Sequence, residues 1–330
     1  MSATIKDVAK EAGVSVGTVS KVLRGGHVRP ENQIKVEESI KKLNYSVNFY
    51  AQGMRSLQTF IIAVILPDLI NPFFALLVNY VEQILASIGY KLLLCDSHGN
   101  IQREQAYINM VRQNKIDGLI ALTYSDGKGY DRVGIPIVSI DRPLGINNCC
   151  VASDSVLGGK LAAEKFIKTN CKNVVYIRNG SLLEGETLKR GTSFIHTCNE
   201  AGVPASEVNL GSETTLEKEN INKINSFIEH IVDNGKCKYD GIFTSSDIHA
   251  IIIKKKLQEL NVDVPNDTQI IGYDGLRELN YGDYPVSSIA QPIKDISIAC
   301  VENLIDRINH KEYKRKVILP VKFVDGNTTK

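Results

Sequence analysis

Thr4-Ile5-Lys6-Asp7-Val8-Ala9-Lys10-Glu11-Ala12-Gly13-Val14-Ser15-Val16-Gly17-Thr18-Val19-Ser20-Lys21-Val22-Leu23-Arg24-Gly25 reads as two short helices joined by a tight turn. Thr4 followed three residues later by Asp7 is a capping box, two polar side chains each accepting an amide that the first helical turn leaves unpaired. Val8 and Ala12, four apart, form an apolar stripe that stops at Gly13, the residue type that ends helices in the left-handed conformation. Ser15 then caps the second helix. Val19, Val22 and Leu23 are its inward face, while Val16, Gly17, Ser20 and Lys21 point outwards, and Gly25-Gly26 ends it. Small uncharged residues followed by one cation suit a helix that enters the major groove of DNA and reads base edges with its first turn.

The stretch resembles the headpiece of the lactose-repressor (LacI/GalR) family of bacterial transcription regulators. It carries without a gap that family's pattern of Thr-Ile-x-Asp-Val-Ala, Ala-Gly-Val-Ser and Thr-Val-Ser-(Arg or Lys)-Val-Leu. A plain helical hairpin would share the caps and the stripe; the unbroken match separates the two. The resemblance implies that Thr4, Ser15, Val16, Gly17, Thr18, Ser20, Lys21 and His27 face DNA. Arg24, His27 and Arg29 crowd the loop that follows, where they fit a phosphate clamp. Pro30 fits the first position of a third helix, whose Val36, Ile40 and Leu43 close a three-helix core.

Residues 45–58 have no strong period and include Gly53, so alone they predict a weak helix or coil. In the resembled family this position is a hinge helix that orders on DNA, pairs with its twin in a homodimer and pushes an apolar side chain into the minor groove. Asn48, Ala51 and Met54 are the hinge positions implied to touch DNA, Met54 standing where Leu is usual. Val47 replaces the Pro that commonly precedes the hinge, which raises the ordering cost on binding.

From Phe60 the pattern changes. Phe60 to Leu66 is a continuous apolar run of strand length, and Phe74, Leu77, Val81, Ile84 and Ile88 follow at helical spacing. Strands at Tyr90 to Cys95, Ile116 to Leu122 and Pro136 to Ile140 alternate with a helix from Ile101 to Asn114. Wholly apolar strands between amphipathic helices predict a parallel sheet covered on both faces. The rhythm restarts near Ser155: a helix to Thr169, the strand Asn173 to Arg178, a helix to Ala201, another from about Thr215 to Asp233, the strand Asp240 to Thr244, a helix to Leu260 and the strand Thr268 to Tyr273. A helix follows Gln291-Pro292 and a last strand runs from Val317 to Val324; the family resemblance implies that these two recross between the lobes.

The expected fold class is therefore α/β: an all-α helix-turn-helix headpiece (1–46) and hinge (47–58), then a two-lobed core of parallel sheets (59–330). The N-lobe takes about 59–153 and 292–316, the C-lobe about 154–291 and 317–330. The core resembles the type I periplasmic-binding-protein fold, with Asn71-Pro72-Phe73-Phe74, Asp117-Gly118-Leu119-Ile120, Ile140-Asp141-Arg142-Pro143 and Gly272-Tyr273-Asp274 where that family has them. Ligands of open α/β sheets bind beyond the carboxyl ends of the strands. The candidate effector residues are Asn71, Phe73, Asp141, Arg142, Arg190, Ser246, Asp247, Asp274 and Gln291. Carboxylates, an amide and a planar guanidinium together offer the donors and acceptors that polyhydroxyl compounds require, and Phe73 would cover an apolar sugar face. Ser246 stands where sugar-responsive relatives commonly have Asn, and Ser193 where the family has Gly.

The remaining composition excludes more than it adds. The chain has 330 residues and a formal net charge of +2; residues 1–58 carry nine Lys/Arg against five Asp/Glu, so the basic excess sits with the DNA-binding pattern. No secretion signal and no run of membrane-helix length is present, which predicts a cytoplasmic protein. Seven cysteines without a Cys-x-x-Cys read as reduced thiols, with no zinc site. Gly158-Gly159-Lys160 lacks the upstream Gly and the following Ser or Thr of a phosphate loop, and no hydrolase, metalloprotease or dinucleotide motif occurs. The reading is a homodimeric repressor, no enzyme and without cofactor, that binds an approximately palindromic double-stranded DNA operator under control of a small effector, a sugar or sugar derivative. The alternatives are a partner-controlled global regulator of the same family and a sugar-binding protein.

Overall fold

The computed structural model describes residues 3–23, 26–45, 58–114, 116–145, 148–180, 185–211 and 217–330. Arg24 and the hinge positions Asn48, Ala51 and Met54 lie outside them. The chain divides into two units, Met1–Thr59 and Phe60–Lys330.

In the first unit α1 (Ile5–Ala12) opens on the expected capping box. The Asp7 amide donates to Thr4 Oγ1 at 3.4 Å, and Asp7 Oδ2 accepts from the Thr4 amide at 2.8 Å. Gly13 closes the helix at φ 64°, and Ser15 Oγ accepts from the Thr18 amide at 3.1 Å to start α2 (Val16–Leu23). Pro30 is the first residue of α3 (Pro30–Lys42). Val8, Ala9, Ala12, Val19 and Val36 form the buried core, with Val22, Leu23, Ile40 and Leu43 packed against it. Three of these valines are fully buried. At about 1.5–3 kcal/mol per buried side chain they hold together a unit too small for a larger core.

The second unit has two six-stranded sheets. The first runs β13 (Lys316–Leu319), β5 (Cys149–Ser153), β4 (Ile137–Ile140), β3 (Gly118–Ala121), β1 (Ile61–Leu66), β2 (Lys91–Asp96), parallel throughout. The second runs β14 (Lys322–Val324), β12 (Ser287–Ala290), β11 (Gln269–Asp274), β10 (Gly241–Thr244), β6 (Val174–Arg178), β7 (Ala205–Asn209), with only β14 antiparallel. Ile62 to Leu66 are at most 1% exposed, as a strand covered on both faces requires. Helices α4 (Pro72–Ser87), α5 (Ile101–Gln113) and α10 (Ile293–Ile308) serve the first sheet; α6 (Ser155–Lys168), α7 (Glu186–Glu200), α8 (Glu217–Ile231) and α9 (Asp247–Glu259) serve the second. A two-residue ribbon, β8 (Val232–Asp233) with β9 (Lys236–Cys237), follows α8.

Three details differ from the sequence reading. The last strand is two: β13 joins the first sheet and β14 the second, the break falling at Pro320, whose missing N–H cannot continue a ladder. The lobe crossover therefore follows Leu319, not residue 316. Strands β5, β7 and β12 carry no long apolar run. In β12, Ser287 and Ser288 are fully buried; Ser287 Oγ bonds Asp325 Oδ1 and Thr329 Oγ1, both at 3.1 Å, and Ser288 Oγ accepts from the Gly275 amide at 3.1 Å, so satisfied hydroxyls make a polar-looking tetrapeptide a core strand.

Gly158 and Gly159, the false phosphate loop, lie inside α6. A Cβ at Gly159 would stand 2.2 Å from the Arg190 carbonyl oxygen and 2.9 Å from the Phe194 amide, and one at Gly158 would stand 2.8 Å from the Tyr273 ring. Gly159 lets α6 and α7 touch backbone to backbone, and Gly158 leaves room for the Tyr273 ring. All seven cysteines are free, and burial pushes Cys95, Cys149, Cys150 and Cys171 up to about 11, so they are inert at neutral pH. Among the described residues no helix is long and apolar enough to cross a membrane, and no group of three His, Cys, Asp or Glu is placed to hold a metal ion.

Candidate functional site

The first unit presents α2. Ser15, Gly17 and Lys21 are exposed, as are Thr4 and His27, while Thr18 and Ser20 are half-buried. Val16 is half-buried too and packs on the core, so its outward direction is only partial. The hydroxyls of Thr4 and Ser15 are engaged in caps, and Ser15 Oγ also lies 2.9 Å from Thr18 Oγ1. Gly17 is different. A Cβ there would meet nothing but Ser15 Oγ, at 3.6 Å, so no packing in this unit requires a residue that costs a helix interior about 1 kcal/mol. A bare backbone on an exposed helix face allows a large surface to approach closely.

The second unit brings strand ends from both lobes together. Asp141, directly after β4, has φ 64°, a left-handed conformation uncommon for a residue with a side chain. Arg190, from α7, donates from Nη1 to the Ser245 carbonyl at 2.8 Å and lies flat over the Tyr273 ring, 3.1 Å from its centroid. Tyr273 in turn reaches across to the other lobe, its hydroxyl 3.1 Å from Ser153 Oγ. Asp274, the last residue of β11, accepts from Gln291 Nε2 at 2.8 Å. Asp247, fully buried at the start of α9, accepts from the Leu276 amide at 2.7 Å. A Cβ on Gly272 would lie 2.1 Å from Asp247 Oδ1, so only glycine leaves room for that carboxylate.

Burial dominates the electrostatics. It pushes Asp247 up to about 6, against hydrogen bonds from Ser288, Leu276 and Gly275. Asp274 is pushed well above the usual carboxylate range by burial and then by the Asp247 charge. Asp141 is raised to about 6 by burial, against the pull of Arg190. Arg190 thus sits among three carboxylates, one of them from the opposite lobe.

Asp274 Oδ2, Asp247 Oδ1, Gln291 Oε1, Arg190 Nε and both amide atoms of Asn179 are buried without a hydrogen-bond partner. Native interiors leave few such atoms, each of which loses the free energy of a missing hydrogen bond. Six of them lie at or near the carboxyl ends of neighbouring strands.

The other candidates are placed differently. Ser246 is the N-cap of α9, its Oγ accepting from the His249 amide at 3.4 Å. Asn71 caps α4 by accepting from the Phe73 amide at 3.0 Å, and Phe73, 3% exposed, is packed edge-on against Phe74 in the first sheet's core. Arg142 donates to the carbonyls of Ser125 and Tyr124 at 2.9 and 3.4 Å, with Nε left over. The sequence reading missed Asn179 and Tyr273. Asn179 directly follows β6, and the rule that ligands bind beyond strand ends was signal enough to find it.

Comparison with known proteins covers both units. A model of bacterial regulatory proteins of the lacI family matches residues 4–48, and a periplasmic binding protein-like domain matches residues 163–329. The sucrose operon repressor of Streptococcus mutans is 33% identical over 331 residues, spanning 99% of this chain and 100% of that protein. The ribose operon repressor of Halalkalibacterium halodurans is 31% identical over 340 residues, spanning 99% and 97%. The crystal structure of the lac repressor dimer bound to operator and the anti-inducer ONPF has a TM-score of 0.82 at 20% identity, over 100% of this chain and 99% of that one, a likeness of fold.

Proposed function

The chain belongs to the lacI family of bacterial regulatory proteins, and from that premise we propose that α2 reads half of an approximately palindromic operator while a ligand in the interlobe cleft sets how tightly the operator is held. The protein is a sequence-specific DNA-binding transcriptional repressor of sugar or related metabolite genes, not an enzyme; its full-length relatives are sucrose and ribose operon repressors. We place it in the cytoplasm, on the nucleoid when bound, as a homodimer. Residues 1–46 serve as headpiece, 47–58 as hinge and 59–330 as effector core. In the groove, Gly17 lets the backbone approach, Val16 offers an apolar contact such as a thymine methyl, and Lys21 and His27 supply cations. At the hinge, Met54 wedges a base step from the minor groove, favouring an easily unstacked pyrimidine-purine step at the operator centre.

One observation carries the effector reading: the unpaired buried atoms of Asp247, Asp274, Gln291, Arg190 and Asn179 at one end of the second sheet. A partner acting on a lobe surface would leave them unpaired, which favours a cleft ligand over a partner-controlled regulator. Arg190→Ala and Asp274→Ala are expected to lower ligand affinity about 10- to 150-fold, the range for one hydrogen bond to a charged group, with operator binding by the ligand-free protein nearly intact. Calorimetric titration of both variants checks it. Unchanged affinity in both places the effector site elsewhere.

A further inference from the structure

Resting on the cleft reading above, we infer that Tyr273 is the positioning residue of the site: its ring fixes the plane of the Arg190 guanidinium, and its hydroxyl, through Ser153, ties that guanidinium to the crossover between the lobes. Tyr273 is fully buried, so it serves a ligand only through these neighbours. The ring acts first. One face of the guanidinium lies on it at 3.1 Å, and Nη1 is held by the Ser245 carbonyl at 2.8 Å. Those two restraints, one above the plane and one within it, leave the group a single orientation. Arg190 Nε stays buried without a partner, so the edge it shares with Nη2 is what the site holds out to a ligand. Room for the ring comes from Gly158, inside α6, where a Cβ would stand 2.8 Å from the ring and 3.1 Å from the hydroxyl. Glycine weakens a helix interior, so the ring is accommodated at a cost to α6.

Packing does not require the hydroxyl. A phenylalanine ring would fill the same space, and a buried hydroxyl costs free energy unless it is bonded. Its bond is to Ser153 Oγ at 3.1 Å, the one partner that either hydroxyl has among the described residues, and Ser153 is fully buried as well. Ser153 is the last residue of β5, in the first sheet, paired in register with Leu319, the last residue of β13. The next residue, Asp154, donates its amide to the Leu319 carbonyl at 2.7 Å and caps α6 by accepting from the Leu157 amide at 2.9 Å. Two crossings of the chain from the first sheet to the second, after Ser153 and after Leu319, therefore meet where the Tyr273 hydroxyl is fastened. A tyrosine one residue before Asp274 joins the arginine of the cleft to the pivot of the lobes. Loss of the hydroxyl should loosen the pivot and leave Arg190 in place; loss of the ring should free Arg190.

The test separates hydroxyl from ring with Tyr273→Phe, Ser153→Ala and Tyr273→Leu in the full-length protein. Two readings need no ligand. The Arg190 Nε proton, shielded by the aromatic face, is expected to resonate upfield in wild type and in Tyr273→Phe, and to move downfield in Tyr273→Leu. Amide exchange at Asp154 is expected to quicken about 2- to 12-fold in Tyr273→Phe, the range for one hydrogen bond, equally in Ser153→Ala, and no further in the double variant. Amides of β3 are the reference, since a tyrosine that merely stabilised the fold would quicken both places alike. The third reading titrates sucrose and ribose: one that binds wild type is expected to bind Tyr273→Phe within about twofold and Tyr273→Leu at least about tenfold more weakly. An Arg190 resonance unmoved in Tyr273→Leu, or Asp154 exchange unchanged in both hydroxyl variants, overturns the inference whether or not either sugar binds. Equal sugar binding by wild type and Tyr273→Leu overturns it too, provided that Arg190→Ala loses the sugar. A sugar held as tightly by Arg190→Ala as by wild type refutes the cleft reading itself.

Discussion

Gly17 and Asp274 carry the two ends of the account. Gly17 has no neighbour that forbids a side chain, so replacement should leave the headpiece folded and act on DNA alone. Exchanging Val16 and Gly17 for longer polar residues is expected to change which operator is preferred by about 1–3 kcal/mol per base pair, with smaller effects on non-specific DNA. Selection of operators from a random pool checks this. A uniform loss on all sequences would show that the two residues only pack.

Asp274 is held well above the usual carboxylate range by burial and then by the Asp247 charge. An acid whose pKa is raised on folding is favoured protonated, so its stabilising contribution is full below the unfolded carboxylate value near 4 and is lost as pH rises through the folded value. Asp141, Asp247 and Asp274 all act in this sense, whereas His249, pushed down to about 4 by burial, destabilises the fold as pH falls below the ordinary histidine value. A variant isolates one group from this mixture. Without ligand, Asp274→Asn is expected to be more stable than wild type at alkaline pH, with the difference shrinking as pH falls and the wild-type carboxyl takes up its proton. A difference independent of pH contradicts it.

Among the elements, α6 and α7 couple the site to the core. Gly159→Ala pushes a methyl into the backbone of α7 beside Arg190, and overpacking of this kind costs about 1–3 kcal/mol. Thermal unfolding is expected to show that loss, together with weakened ligand binding, because Arg190 must move. Wild-type stability with wild-type affinity would mean that the helices part freely. The same elements show what the sequence made legible. Phe60 to Leu66 announced a strand because seven successive apolar residues need two covered faces; Ser287 to Ala290 did not, since the Ser287 hydroxyl is satisfied from residues 38 and 42 positions later and the Ser288 hydroxyl from Gly275. Asp141, Arg190, Asp274 and Gln291 were readable as residues at strand ends or in family positions. Asn179 stood at such an end unnoticed. Ser246, Asn71 and Phe73 turned out to cap helices or fill core, roles that sequence position alone does not distinguish from ligand contact.

At the scale of the whole molecule, the headpiece supplies affinity for DNA and the two-lobed core supplies the switch. Several phosphate contacts from Lys and Arg make operator binding fall steeply with salt, so comparisons belong at one ionic strength. A ligand alters operator affinity only by the difference in its own affinity for the DNA-competent and incompetent states, typically about 1–3 kcal/mol between coupled sites. The direct test is the operator dissociation constant of the full-length protein, on DNA selected by the protein itself, with and without a sugar found by titration to bind it. A change of about 5- to 150-fold is expected in wild type and none in Arg190→Ala at the same sugar concentration. An unchanged operator affinity in wild type, or the same change in both proteins, would contradict it.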